Sequence, residues 1–167
     1  MPKKIRLGIF GGGGDSLIGV LHRVASYIND NSEIVGGVFN AQYEESLAFA
    51  KEIDIPTDRI YKDIDDFVTS ENQLPEEERI QVCSVLTPNF LHFPMAKTLL
   101  ENGFHVICEK PLTTNYEEAK ILQQTLQAAK KVFAVTHTYT GYPMVRQMRE
   151  MIKEGVLGKI HKVDAQY

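Results

Sequence analysis

Apolar residues along this chain fall into short unbroken blocks, and between the blocks they recur at helical spacing. Ile5-Arg6-Leu7-Gly8-Ile9-Phe10 is β-rich and is closed by four glycines, after which Leu17, Ile18, Leu21, Val24, Ala25 and Ile28 share one helical face. Ile34 to Phe39 forms the next block, followed by a helix carrying Leu47, Ala48 and Ile53 that Pro56 brings to an end. Arg59-Ile60-Tyr61 reads as a weak third strand and Asp63 to Ser70 as a helix. Glu71 to Arg79, with Pro75 and the run Glu76-Glu77-Glu78, reads as an exposed, solvated stretch. Ile80 to Leu86 and Phe104 to Cys108 are again continuously apolar, and between them Phe90 to Glu101 reads as a helix stopped by Gly103. Asn115 caps a helix bearing Ala119, Leu122, Leu126 and Ala129, and Val132 to Thr136 completes the set.

Strands that are apolar throughout are those of a sheet buried on both faces, and parallel neighbours require crossover helices. Six strands joined by five crossovers therefore predict an α/β fold, a doubly wound parallel sheet. The pattern changes after Thr136. Gly141-Tyr142-Pro143 opens a helix with Met144, Val145, Met148 and Ile152 on one side, Gly155 to Gly158 ends it, and a last strand is expected from Ile160 to Tyr167. That strand has no partner in the sequence, so it reads as the start of a second, α+β domain. The expected division is residues 1–137 and 138–167.

Composition narrows the setting. A chain of 167 residues with 43% hydrophobic content has room for one core. Its formal net charge is -4 and its basic residues are scattered, which argues against nucleic acid as a partner. There is no signal-peptide pattern and no run long enough for a membrane span. Cys83 and Cys108 sit inside apolar blocks and read as buried free thiols in a reducing, cytoplasmic setting. No metal is expected.

Candidate chemistry gathers at the carboxyl ends of the expected strands. Gly11-Gly12-Gly13-Gly14-Asp15-Ser16 joins the first strand to the first helix, where glycines let the backbone approach a pyrophosphate at a helix N-terminus. With Gly11 and Gly13 as the first two glycines of a dinucleotide fingerprint, the third falls at Ser16, while Gly19 comes later. Asp15 is expected to point away from phosphate or to cap the helix. A Walker loop is excluded because Val20-Leu21, rather than Lys and a hydroxyl residue, follows Gly19. Asn40 stands after the second strand, where an acidic residue marks NAD preference, so NAD and NADP both remain open. Thr87-Pro88-Asn89 and His92 follow the fourth strand; alone, Asn89 reads as an N-cap and His92 as a first-turn residue. Glu109-Lys110-Pro111 leaves a buried strand directly into the expected cleft, and Pro111 is a candidate cis-proline.

With these segments in register, the chain resembles the glucose-fructose oxidoreductase, inositol dehydrogenase and MocA family. The segment Gly103 to Leu112, containing Glu109-Lys110-Pro111, is its most specific signal, and His137-Thr138-Tyr139 with Gly155 to Ile160 is similar to the family's junction into a second domain. The resemblance implies a Rossmann domain binding NAD or NADP through Gly11, Gly13, Gly14, Ser16 and Leu17 at the pyrophosphate and Asn40 at the adenosine ribose. It further implies that Thr87, Pro88, Asn89, His92 and His137 line the cofactor cleft, that Glu109 bonds the nicotinamide side and that Lys110 is catalytic. The implied reaction is hydride transfer to or from a carbinol carbon of a sugar, polyol or related small molecule, in a protein that is a homo-oligomer when full length. Tyr139-Thr140 departs from the Arg carried there by many members, and the family's second-domain Asp and His have no counterpart before Tyr167. A non-catalytic dinucleotide-binding sensor or scaffold is the alternative, and a methyltransferase is disfavoured by the lack of a terminal antiparallel hairpin.

Overall fold

A computed structural model describes residues 3–166, which divide after Thr136 into two compact units. The first unit runs β1 (Ile5–Gly11), α1 (Leu17–Tyr27), β2 (Ser32–Val38), α2 (Tyr43–Glu52), α3 (Ile64–Gln73), β3 (Val82–Leu86), α4 (His92–Glu101), β4 (His105–Cys108), α5 (Tyr116–Ala129) and β5 (Phe133–Val135). The five strands are all parallel, in the order β2-β1-β3-β4-β5. No helix among the described residues is long and apolar enough to cross a membrane.

Helices α1, α3 and α5 start where a side chain satisfies a first-turn N–H group. Ser16 accepts from Gly19 N, Asp63 from Asp66 N and Asn115 from Glu118 N. Two cores result. Phe10, Phe67, Val85, Leu99, Leu100, Phe104, Val106 and Leu122 pack between the sheet and α3, α4 and α5, with the Phe10 and Phe67 rings edge-on at 4.9 Å. On the other face Leu7, Ile9, Ile34 and Phe39 pack with Phe49 and Ala50 of α2. The two cysteines are free and buried as expected.

Four expectations change, three of them in this unit. The third strand is only one bridge, Gly37 with Ile60, because a 3₁₀ turn at Thr57–Arg59 and the Asp63 cap leave only three residues between them. The apolar residues of α1 do not face the core: Leu17, Leu21, Val24 and Ile28 are half or more exposed, while Gly19 and Ser26 are buried. Glu71 is not solvated but fully buried, accepting hydrogen bonds from Arg59 Nε at 3.0 Å, Tyr61 Oη at 2.5 Å and Ile80 N at 2.7 Å. It ties the segment before β3 to the segment after β2, and a carboxyl group buried inside the fold requires such a set of partners.

The second unit holds a 3₁₀ turn at Thr138–Gly141 and α6 (Pro143–Lys153), with Pro143 at its first position. Gly155, at φ 73°, follows its end. The strand expected from Ile160 is absent: residues 160–166 have no regular structure, and Tyr167 lies outside the described residues. An extended segment acquires strand geometry only through a ladder with a neighbour, and none pairs with it among the described residues.

Candidate functional site

Parallel pairing brings every strand's carboxyl end to one edge. Phe10 is level with Val38, Gly11 with Leu86, Val85 with Cys108, and Cys108 with Val135. The chain leaves β1 through α1 toward β2 and leaves β3 through α4 toward β4, so connections diverge between β1 and β3. That divergence opens a crevice where doubly wound sheets take ligands. A cleft of about 260 Å³ lies there, lined by Gly11, Gly12, Gly13, Phe39, Asn40, Thr87 and Pro88.

The glycine loop floors the cleft. Gly11, Gly12 and Gly14 have φ of 80°, 70° and 57°, left-handed values that other residues adopt at a cost. Gly13 N donates to Phe39 O at 3.1 Å, and a Cβ there would stand 2.6 Å from Asn40 Nδ2. Ser16 does not take the third-glycine role but is the N-cap, and Asp15 is exposed and does not cap. The close helix–strand approach falls to Gly19, where a Cβ would overlap the Gly12 carbonyl oxygen. Arg23 reaches back one turn later: its Nη1 donates to Gly12 O at 2.8 Å while its guanidinium lies over the Phe49 ring. Leu17, the first helical residue, is exposed.

Asn40 is held by its backbone: its N–H donates to Ser46 Oγ at 2.8 Å, and Ser46 Oγ donates to Asn40 O at 3.2 Å. Thr87 and Pro88 reach the cleft. Asn89 is not an N-cap; it opens a 3₁₀ turn, Asn89–Leu91, and α4 begins only at His92. His92 does not line the cleft. It is 1% exposed, with Nδ1 2.8 Å from Pro111 O and Nε2 2.8 Å from Thr87 O, so both ring nitrogens are used in stapling two edge loops together.

The Lys110–Pro111 peptide is cis, and Lys110 is exposed at the edge. Glu109, next to it in sequence, is engaged by protein groups. Its Oε1 lies 3.1 Å from His22 Nε2 on α1 and accepts from Thr136 Oγ1 at 2.6 Å, and its Oε2 accepts from Lys110 N at 3.2 Å. Burial alone raises this carboxyl, but the bonds from Thr136, His22 and the Lys110 N–H outweigh it, so its pKa is lowered. Burial and the neighbouring Glu109 charge push the Cys108 thiol up to about 12, leaving it neutral and unreactive. His137 belongs to the second unit, where its carbonyl accepts from Thr140 N and Oγ1.

Sequence reasoning missed Gly19, His22, Arg23 and Thr136. The first three were visible as a stripe: Gly19, His22, Arg23 and Ser26 stand at i, i+3, i+4 and i+7, a helical face read through small and polar residues instead of apolar ones.

Residues 5–137 match the model of an oxidoreductase family described as having an NAD-binding Rossmann fold. Over 169 residues the chain is 33% identical to YfiI, an uncharacterised oxidoreductase of Bacillus subtilis (strain 168), covering all of this chain and 42% of that protein. A structure of an inositol dehydrogenase homologue from Azotobacter vinelandii complexed with NAD+ superposes with a TM-score of 0.90 at 35% identity, covering 95% of this chain and 40% of that one. An oxidoreductase from Sinorhizobium meliloti gives 0.87 at 40% identity, with coverages of 93% and 43%. The chain thus spans less than half the length of these relatives.

Proposed function

Because this chain belongs to the Gfo/Idh/MocA oxidoreductase family, through its NAD-binding Rossmann fold, we propose that it is the cofactor-binding part of a dehydrogenase acting on a carbinol carbon of a sugar, polyol or related small molecule. The observation that carries the proposal is the closure of α1 onto the glycine loop at Gly19 and Gly12, beside an exposed Lys110 on the same sheet edge. The residues fit a dinucleotide. Gly14 has open space where a Cβ would stand, and the cleft lies over Gly11, Gly12 and Gly13, so backbone N–H groups and the positive end of α1 can meet a pyrophosphate.

In this reading Gly11, Gly13, Gly14, Ser16 and Leu17 hold the pyrophosphate, Asn40 the adenosine ribose, and Thr87, Pro88 and Asn89 one wall of the cleft. His137 stays a candidate from the second unit. A bound nicotinamide supplies the hydride acceptor or donor. Lys110 Nζ faces the reacting oxygen: its free amine takes the hydroxyl proton as the carbinol is oxidised, and the ammonium so formed returns it in the reverse direction. The full-length protein is proposed to be a cytoplasmic homo-oligomer, with a second domain that begins in residues 138–167 and completes the substrate pocket.

Titration of the chain with NADH and NADPH, followed by nicotinamide fluorescence, tests the reading. Saturable binding of at least one is expected, and a folded chain that binds neither refutes it. In the full-length protein, Lys110→Ala is expected to lower turnover by about 10²- to 10⁴-fold with cofactor affinity little changed.

A further inference from the structure

We propose that His22 is a positioning residue for Lys110, acting from α1 through the Glu109 carboxylate with Thr136 as its partner. The proposal rests on the reading of Lys110 as the proton-handling group. Lys110 follows Glu109 directly, and Glu109 N still continues the sheet by donating to Val85 O at 3.0 Å. The Glu109 side chain then folds back, so that Oε2 receives the Lys110 N–H while Oε1 takes the donors of α1 and β5. The turn that carries Lys110 is therefore tied to the sheet, to β5 and to α1 at once.

Both members of the His22–Glu109 pair are largely shielded, with side chains 15% and 12% exposed. A carboxylate in such a place needs donors, and here one of them comes from a distant element. That element is itself fixed. Gly19 abuts Gly12, and Arg23, the residue after His22, donates to Gly12 O. One helix thus grips the Lys110 turn with one residue and the glycine loop with the next. The groups facing Glu109 are His22 from α1, Thr136 at the end of β5, the Lys110 N–H and the neighbouring Cys108, whose thiol is neutral.

The test uses the 167-residue chain labelled with ¹³C, without cofactor. It reads the titration of the Glu109 carboxyl and the resonance of the Lys110 Cε. His22→Leu is expected to raise the Glu109 midpoint by about half a unit or more and to shift Lys110 Cε toward its unstructured position. His22→Gln, which keeps an N–H donor, is expected to restore most of both. Thr136→Val acts in the same direction and keeps the measurement available if His22→Leu does not fold. Unmoved Glu109 and Lys110 signals in the apolar variants overturn the proposal, as does a Gln variant that behaves like Leu. NADH titration of the same samples separates the two readings: an unaltered chain that fails to bind NADH sinks the dehydrogenase reading and leaves the pairing signals intact. Normal NADH binding with unmoved signals sinks only the positioning role.

Discussion

Gly19 is the residue on which the cleft depends most directly. Its neighbour is a backbone carbonyl rather than a flexible side chain, so a methyl group at position 19 can be accommodated only by moving α1 or the glycine loop. Gly19→Ala is expected to cost about 1–3 kcal/mol, the range for overpacking, and to weaken NADH binding more than tenfold, as read by urea unfolding and fluorescence titration. Unchanged values of both would show that α1 can retreat freely. The sequence placed the glycine loop correctly but not the residue that closes it. A fixed fingerprint spacing put the third position at Ser16, whereas the physical requirement, contact without a Cβ, is met three residues later. Lys110 and Pro111 were legible because a lysine does not stay inside a buried apolar strand and a proline cannot donate to its ladder, so the chain has to turn out at that edge. The pairing of Glu109 with His22 and Thr136 was not, since a hydrogen bond between elements 87 or 27 residues apart leaves no local pattern.

At the level of elements, the strands were legible because continuous apolar blocks closed by glycine or polar residues suit a sheet covered on both sides. The crossover helices α2 to α5 were legible from periodicity and caps. For helix α1, periodicity assigns the two faces the wrong way round. Its apolar stripe points outward and its inward stripe is Gly19, His22, Arg23 and Ser26, because the helix lies too close to the loop for large side chains and instead bonds its polar ones. The substitutions therefore invert the usual expectation. Leu21→Ser is expected to change unfolding free energy by under about 0.5 kcal/mol, as at ordinary surface sites, whereas Ser26→Leu is expected to cost about 1–3 kcal/mol by overpacking. Thermal or urea unfolding of the two variants decides it, and a larger loss for Leu21→Ser would refute the assigned orientation.

For the molecule as a whole, acid sensitivity follows from the Glu109 cluster. The folded carboxyl titrates below its unfolded value, so its contribution is fully present at neutral pH and is lost as pH falls through the lowered folded pKa. Urea midpoints measured from pH 7 to pH 3 are expected to fall more steeply for the unaltered chain than for Glu109→Gln, and parallel curves would remove Glu109 from the acid response. Tyr27 and Ile28 extend the outward stripe of α1 formed by Leu17, Leu21 and Val24, with exposures of 54% and 71%. Several large apolar side chains in a row make a patch of the kind that soluble monomers seldom leave open. A hydrophobic dye added to this chain at neutral pH thus has a place to adsorb while every strand is paired, and its brightening reports a well-ordered helix surface, not loosened packing.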